Sequence, residues 1–310
     1  MSQAQYQMLI DAATWEFIRA TDAAYPPDAA TRSIQEQRAF YDQMCRAFHH
    51  GYPKGVTAED QSIGGVPCRV YPGAEPTVLY LHGGGFVVGG LESHDAVCAD
   101  IRARTGLGVV AVDYRLSPEN LHPAALNDAL AVIAAINTSL VLVGDSAGGN
   151  LAAACAHVLT HSQTASASIL GQVLIYAGLG GDVNTGSYLV HANAPMLTRD
   201  DVLFYQGIRH DGVVPQNDPT ASPLHATDFA GLPPTVAISA ECDPLADDGQ
   251  TYVTCLQKAG INAHSILEPG LVHGYLRARS TVPRAAASFG RICDAIGHLA
   301  QGDWPYGENL

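Results

Sequence analysis

The spacing of apolar residues changes character about a fifth of the way along the chain. Near the start, Tyr6, Leu9, Ile10, Ala13 and Phe17 recur at the 3.6-residue period of a helix. A second helical stretch is predicted over roughly 31–48, with Tyr25-Pro26-Pro27-Asp28 as the breaker between them. From about residue 66 short β-branched runs take over, at 66–71, 78–81, 109–112, 140–143, 173–175, 235–239 and 263–267. Helical patterns fall between several of them, at about 93–105, 123–136, 147–160, 244–259 and 283–299. Strands alternating with helices predict an α/β fold, in which a mostly parallel sheet is covered on both faces.

One connection is too long for a plain crossover. The segment 176–234 separates two strands and contains a helical pattern, PMLTRDDVLFYQGI, with Thr198 as its cap. Residues 1–50 and an insertion at about 178–225 are therefore expected to form a helical cap. The cap would lie over the carboxyl edge of a catalytic domain spanning 51–310.

Two glycine-bearing turns follow strands and raise the question of chemistry. In Val141-Leu142-Val143-Gly144-Asp145-Ser146-Ala147-Gly148-Gly149-Asn150, the pattern G-x-S-x-G sits between an apolar strand and a helical run. That context calls for a sharp turn that lifts the serine hydroxyl clear of the sheet. The following N–H groups, beginning with Ala147, then point at developing negative charge. The other turn, YLHGGGFVVGG at 80–90, lacks glycines at the offsets of a dinucleotide loop and lacks the Gly-Lys-Ser/Thr of a phosphate loop.

A serine needs a base to take its proton and an acid to orient that base. For a sheet of this kind the chain order is serine, acid, histidine. Asp243, where a strand meets a helix, is the candidate acid; a simple N-cap is its structural alternative. Glu241 is a rival at the strand end, and Asp247 and Asp248 read as helix residues. His273, in the stretch after the last strand, is the candidate base. His157 and His161 lie four apart on a helix, but no Glu follows His157 and no third ligand is evident, so they read as ordinary helix residues.

Bulk properties narrow the partners. A net charge of −14 repels a phosphate backbone, so no nucleic-acid partner is expected. The seven cysteines are scattered without a C-x-x-C, which argues against a disulfide framework or a zinc site and fits a reducing cytoplasm. No apolar run is long enough to span a membrane. A homodimer is compatible with the sequence.

The motifs together resemble the hormone-sensitive-lipase-like branch of the α/β-hydrolases, especially its bacterial carboxylesterases and acetyl esterases. They are His82-Gly83-Gly84-Gly85, Asp113-Tyr114-Arg115-Leu116-Ser117-Pro118-Glu119, Gly144-Asp145-Ser146-Ala147-Gly148, Ser222-Pro223-Leu224, Gly231-Leu232-Pro233-Pro234, Asp243-Pro244-Leu245 with Asp248-Gly249, and His273-Gly274-Tyr275. The resemblance spans about residues 76–300. It implies the α/β-hydrolase fold and a Ser146–Asp243–His273 triad. It also implies an oxyanion hole among Gly83, Gly84, Gly85 and Ala147, in which Gly84 and Gly85 usually give the donors beside Ala147. Tyr114, Arg115 and Glu119 are expected as an ion-paired scaffold turn, and Asp145 as a structural hydrogen bond at the elbow.

The implied reaction is hydrolysis of a small-molecule ester through an acyl-enzyme, with neither metal nor organic cofactor. Acyl chains from acetyl to about hexanoyl are expected, with Leu203, Phe204 and Tyr205 as pocket residues. Two alternatives stay open: an amidase or deformylase on the same triad, and a non-catalytic small-molecule binder.

Overall fold

The computed structural model describes residues 1–26, 28–162 and 168–307. Pro27, part of the expected breaker, lies outside them. Eight strands form one sheet: β1 (Glu59–Ile63), β2 (Val66–Tyr71), β3 (Ala74–Leu81), β4 (Leu107–Val112), β5 (Leu140–Asp145), β6 (Ile169–Ile175), β7 (Thr235–Cys242) and β8 (Ala263–Val272). Their order is β1-β2-β4-β3-β5-β6-β7-β8. Every pairing from β4 to β8 is parallel, while β1 with β2 and β2 with β4 are antiparallel.

The central strands are apolar throughout because both faces are covered. Within β5, Val141 and Val143 face one buried cluster and Leu140 and Leu142 the other, the two-residue alternation of a pleated strand. Helices α4 (Leu91–Thr105) and α10 (Pro283–Gln301) pack in the first cluster. Helices α5 (Ala124–Ala135), α6 (Ala147–His161) and α9 (Ala246–Lys258) pack in the second.

The edge strand β1 is absent from the sequence-based expectation. Its EDQSI is exposed along nearly its whole length, so it carries no apolar alternation. A signal for it exists in Gly64-Gly65, which joins Ile63 to its partner Val66 with positive φ at both residues (59° and 84°), the geometry of a two-residue hairpin turn.

The N-terminal region forms three helices: α1 (Gln3–Leu9), α2 (Ala12–Ala24) and α3 (Ile34–Arg46). The single periodic run expected from Tyr6 to Phe17 breaks at Asp11, whose carboxylate caps α2 by accepting from the Thr14 N–H at 2.8 Å. Ser33 and Glu36 cap α3 reciprocally. The segment 176–234 holds two more helices, α7 (Gly186–Val190) and α8 (Arg199–Arg209). Thr198 caps α8 as expected, accepting from the Asp201 N–H. Tyr6 of α1 and His191 after α7 meet at 3.1 Å, which ties the N-terminal helices to that segment.

Two boundaries differ from expectation. Strand β8 runs on to Val272 although the sequence contains Pro269-Gly270. A register irregularity opposite Ala240–Cys242 absorbs them, and the Gly270 N–H donates to Glu241 Oε2 at 2.7 Å instead of to the ladder. Helix α9 begins at Ala246 rather than Pro244, after a turn closed by the Ala246 N–H on the Asp243 carbonyl.

Candidate active site

Three strand ends deliver three polar side chains to one place. Ser146 follows β5, Asp243 follows β7 and His273 follows β8. His273 Nε2 lies 2.9 Å from Ser146 Oγ and its Nδ1 lies 2.7 Å from Asp243 Oδ2. Asp243 is fully buried, and its other carboxylate oxygen accepts from the Leu245 N–H at 2.9 Å. The capping bond and the histidine contact thus use different oxygens of one carboxylate. The rival acids are engaged elsewhere: Glu241 with Gly270, Asp247 with the Ser187 N–H, and Asp248 with the Leu179 N–H.

The turn at Ser146 explains the small residues around it. Ser146 has φ 53° and ψ −118°, a conformation costly for any residue with a Cβ. A Cβ on Gly148 would run into the Leu81 and His82 carbonyls, and one on Gly144 into the Gly148 backbone. Strand β5 and helix α6 can approach so closely only through glycine. The turn is anchored by the Ser146 N–H, which donates to the Ile175 carbonyl at 2.8 Å.

The glycine turn after β3 borders the same cavity as Ser146. Gly84, Gly85 and Ala147 all line it, and their N–H groups donate to no acceptor among the described residues. Gly83 departs from the expected oxyanion-hole set. Its N–H donates to Asp145 Oδ1 at 3.0 Å, so it is committed to the scaffold and is not a free donor.

Asp145 holds this turn in place. It also accepts from the Tyr80 hydroxyl at 2.7 Å and the Tyr176 hydroxyl at 3.4 Å, and it lies 3.3 Å from His94 Nε2. Burial by itself would raise the Asp145 carboxyl, but the nearby His94 and the Tyr80 donor outweigh it and hold the group at about 2. His82 packs beside them, its ring stacked on Tyr114 at 4.2 Å. Burial drives the His82 imidazole down to about 3, which leaves it neutral. The ion pairs of the neighbouring turn do not close within it. Arg115 pairs with Asp128 at 2.7 Å and Glu119 with Arg38 of α3 at 2.6 Å, so each charge reaches a separate helix.

A cavity of about 430 Å³ opens over Ser146 and His273. Thr21, Tyr25, Tyr41 and Met44 reach it from the N-terminal region; Tyr188, Met196, Leu197, Val202, Tyr205 and Arg209 reach it from the segment after β6. Of the three expected pocket residues, only Tyr205 lines it. Leu203 and Phe204 are 37% and 47% exposed and border a shallow depression on the outer side of α8, with Gly207, Ile208 and Asp211. A helix turns about 100° per residue, so Val202, Tyr205, Gln206 and Arg209 share the inner face and their neighbours point away.

Sequence reasoning missed Tyr41, Tyr176, Arg209 and Arg277, all at this cavity. Tyr176 carried a usable signal, being the first residue after β6; its ring packs edge-on against His273 at 4.9 Å. The others come from helices or a turn whose docking no local pattern reveals.

The arrangement corresponds to known proteins over most of the chain. Residues 78–277 match the family described as the alpha/beta hydrolase fold. The chain is similar to carboxylesterase NlhH of Mycobacterium tuberculosis, with 34% identity over 249 residues covering 74% of this chain and 77% of that protein. It is similar to ethyl acetate hydrolase of Pseudomonas putida, also at 34% identity, covering 74% and 78%. Among solved structures it superimposes on an esterase of the bacterial hormone-sensitive lipase family with a TM-score of 0.83 at 25% identity, over 94% of this chain and 99% of that one. The chain therefore belongs to the hormone-sensitive-lipase-like branch of the α/β-hydrolase family.

Proposed function

We propose that the protein is a serine carboxylesterase that hydrolyses short-chain esters through an acyl-enzyme. The reading is carried by one observation: the unbroken hydrogen-bonded chain from Ser146 through His273 to Asp243, opening into a cavity bordered by unengaged N–H groups. His273 Nε2 takes the Ser146 proton as Oγ attacks the ester carbonyl. Asp243 fixes the imidazole with Nδ1 protonated and stabilises the cation that forms. The N–H groups of Gly84, Gly85 and Ala147 take up the negative charge on the carbonyl oxygen. His273 then protonates the departing alcohol. Water, deprotonated by the same histidine, releases the carboxylate and restores Ser146.

The N-terminal helices and the segment after β6 serve in this reading as the cap that bounds the acyl and alcohol groups. A cavity of about 430 Å³ suits a small ester. Activity on p-nitrophenyl esters is expected to peak between about C2 and C6 chains, and a maximum at C12 or beyond would overturn the size assignment. Incubation with an organophosphate should place one adduct on Ser146, read by mass spectrometry. An unlabelled folded protein would defeat the nucleophile assignment.

A further inference from the structure

Two arginines border the cavity, and their surroundings differ. Arg209 is accounted for within the protein. Its guanidinium donates to Asn150 Oδ1 at 3.2 Å and to the Ala221 carbonyl at 3.1 Å, and it lies 3.6 Å above the Phe86 ring. Arg277 has no such partners. It sits in the turn Tyr275–Ala278, four residues after His273, and its guanidinium makes no hydrogen bond or ion pair with any described residue. Its Nε is buried and unpartnered.

The position of that guanidinium is fixed by its neighbours. A Cβ on Gly274, next to His273, would lie 2.8 Å from Arg277 Nη2, so the group rests against the backbone beside the base. Its Cζ lies 5.8 Å from the Phe17 ring and 6.0 Å from the Tyr41 ring. No acid bordering the cavity pairs with it directly: Asp22 and Asp201 form no ion pair with it, and Asp145, which favours its charge from a distance, is hydrogen-bonded to Tyr80 and Gly83. Burial works against the charge of Arg277, but the Asp145 carboxylate nearby favours it and a guanidinium titrates far above neutrality, so the group stays cationic. A half-buried guanidinium with its Nε shielded from water and unpartnered keeps unmet demand for an anion, and its planar fork matches a carboxylate in two parallel hydrogen bonds.

We propose that Arg277 is a specificity-determining residue that binds a carboxylate carried by the substrate, so that the preferred esters are anionic ones such as half-esters of short dicarboxylic acids. This rests on the ester-hydrolase reading of Ser146. The carboxylate sits on either the acyl or the alcohol part of the ester, and both present the same chemistry to the guanidinium. Hydrolysis adds one water across the ester bond, releases the alcohol and leaves the second carboxylate untouched.

The test compares matched pairs that differ in one charge. Monoethyl succinate against diethyl succinate carries it on the acyl side; acetoxyacetate against its methyl ester, followed by acetate release, carries it on the alcohol side. The charged member is expected to have the higher kcat/KM in at least one pair. Arg277→Gln should lower the charged-to-neutral ratio by roughly tenfold or more, chiefly through KM, and Arg277→Lys should keep part of it. Neutral members hydrolysed as well or better, or a ratio unmoved by Arg277→Gln, would overturn the proposal. If that variant does not fold, calorimetry on Ser146→Ala decides: N-ethylsuccinamate should bind more tightly than the neutral N-ethylbutyramide, and equal binding overturns the proposal. Failure of the wild type to hydrolyse any ester, p-nitrophenyl acetate included, would sink the hydrolase reading while the binding comparison still reports on Arg277.

Discussion

The floor and the roof of the cavity are built differently. Its floor is the carboxyl edge of the sheet, where Ser146, Asp243 and His273 each stand next to a strand whose neighbours are set by main-chain pairing. Groups there are locked by several bonds at once; Asp145 alone contacts Tyr80, Gly83, Tyr176 and His94. The roof comes from α2, α3 and α8, which place Tyr25, Tyr41, Val202 and Tyr205 through side-chain packing on helices outside the sheet. In the proposed reading, the difference separates two tasks. Chemistry demands atoms held within tenths of an ångström. Discrimination among substrates needs only a surface of suitable shape and charge, and such a surface can change without disturbing the floor.

That division predicts where losses will be largest. Ser146→Ala should reduce kcat on p-nitrophenyl acetate by about 10⁴-fold or more. It should leave the thermal midpoint nearly unchanged, because among the described residues the hydroxyl's one hydrogen bond is to His273. Asp243→Asn should cost on the order of 10³- to 10⁴-fold, since the amide can favour the wrong histidine tautomer. A loss under tenfold for either variant would break the assignment of chemistry to the floor.

The same division explains what the sequence made legible. Strands β2 to β8 announce themselves through apolar runs, and the turns at Gly84 and Ser146 demand glycine or small neighbours, so Ser146, Asp243 and His273 could be picked out by order and context. Polar β1 was invisible to that logic because an exposed edge strand needs no apolar face. Gly83 was assigned by motif membership, whereas its N–H is spent on Asp145, a contact between residues 62 apart. In the roof, the composition of α8 showed three large side chains at 203–205. It could not show which face docks, and only Tyr205 faces in. Arg277 was missed for a related reason: its lack of a partner is a property of the fold, and its sequence neighbours do not disclose it.

Two buried aspartates sharpen the comparison through pH. Asp145 belongs to the floor, and its carboxyl is held at about 2, below its ordinary 3.8. A lowered folded value means that its stabilisation, about 2 kcal/mol, is present above pH 4 and lost as pH falls toward 2. Asp248 lies in α9 and ties it to the segment after β6, accepting from the Leu179 N–H at 2.7 Å and the Tyr188 hydroxyl at 3.1 Å. Burial pushes it up to about 6, against those donors. The sign is therefore opposite: the folded state holds the proton more tightly than the unfolded chain, so stability falls as pH rises from about 4 to 6, by roughly 2–3 kcal/mol. Denaturant melts across pH 2 to 8 should show Asp248→Asn flattening the decline between 4 and 6, whereas Asp145→Asn should remove the loss between about 4 and 2 and weaken the fold near neutrality. An unchanged slope in the Asp248 variant would contradict the buried, proton-holding state.

The smallest expected effect tests the roof directly. Tyr205 reaches down from α8 until its ring blocks the space that a Cβ on Gly85 would take, so floor and roof touch there. Tyr205→Ala removes that ring without altering the Ser146–His273–Asp243 chain or the N–H groups of Gly84 and Gly85. Activity on p-nitrophenyl acetate should fall by about 5- to 30-fold, from lost apolar contact of about 1–2 kcal/mol. The space released should favour longer acyl groups, so the maximum of the chain-length profile should move up by about two carbons, since each buried methylene contributes about 0.8 kcal/mol. Two outcomes would argue against the division. A loss above roughly 10³-fold on acetate would mean that Tyr205 helps to hold the glycine turn in its reactive shape, making the roof part of the catalytic apparatus. A profile that does not move would mean that the acyl chain leaves Ser146 in another direction, with α8 bounding the alcohol instead; repeating the series with alcohols of increasing size on one acetyl group separates these cases.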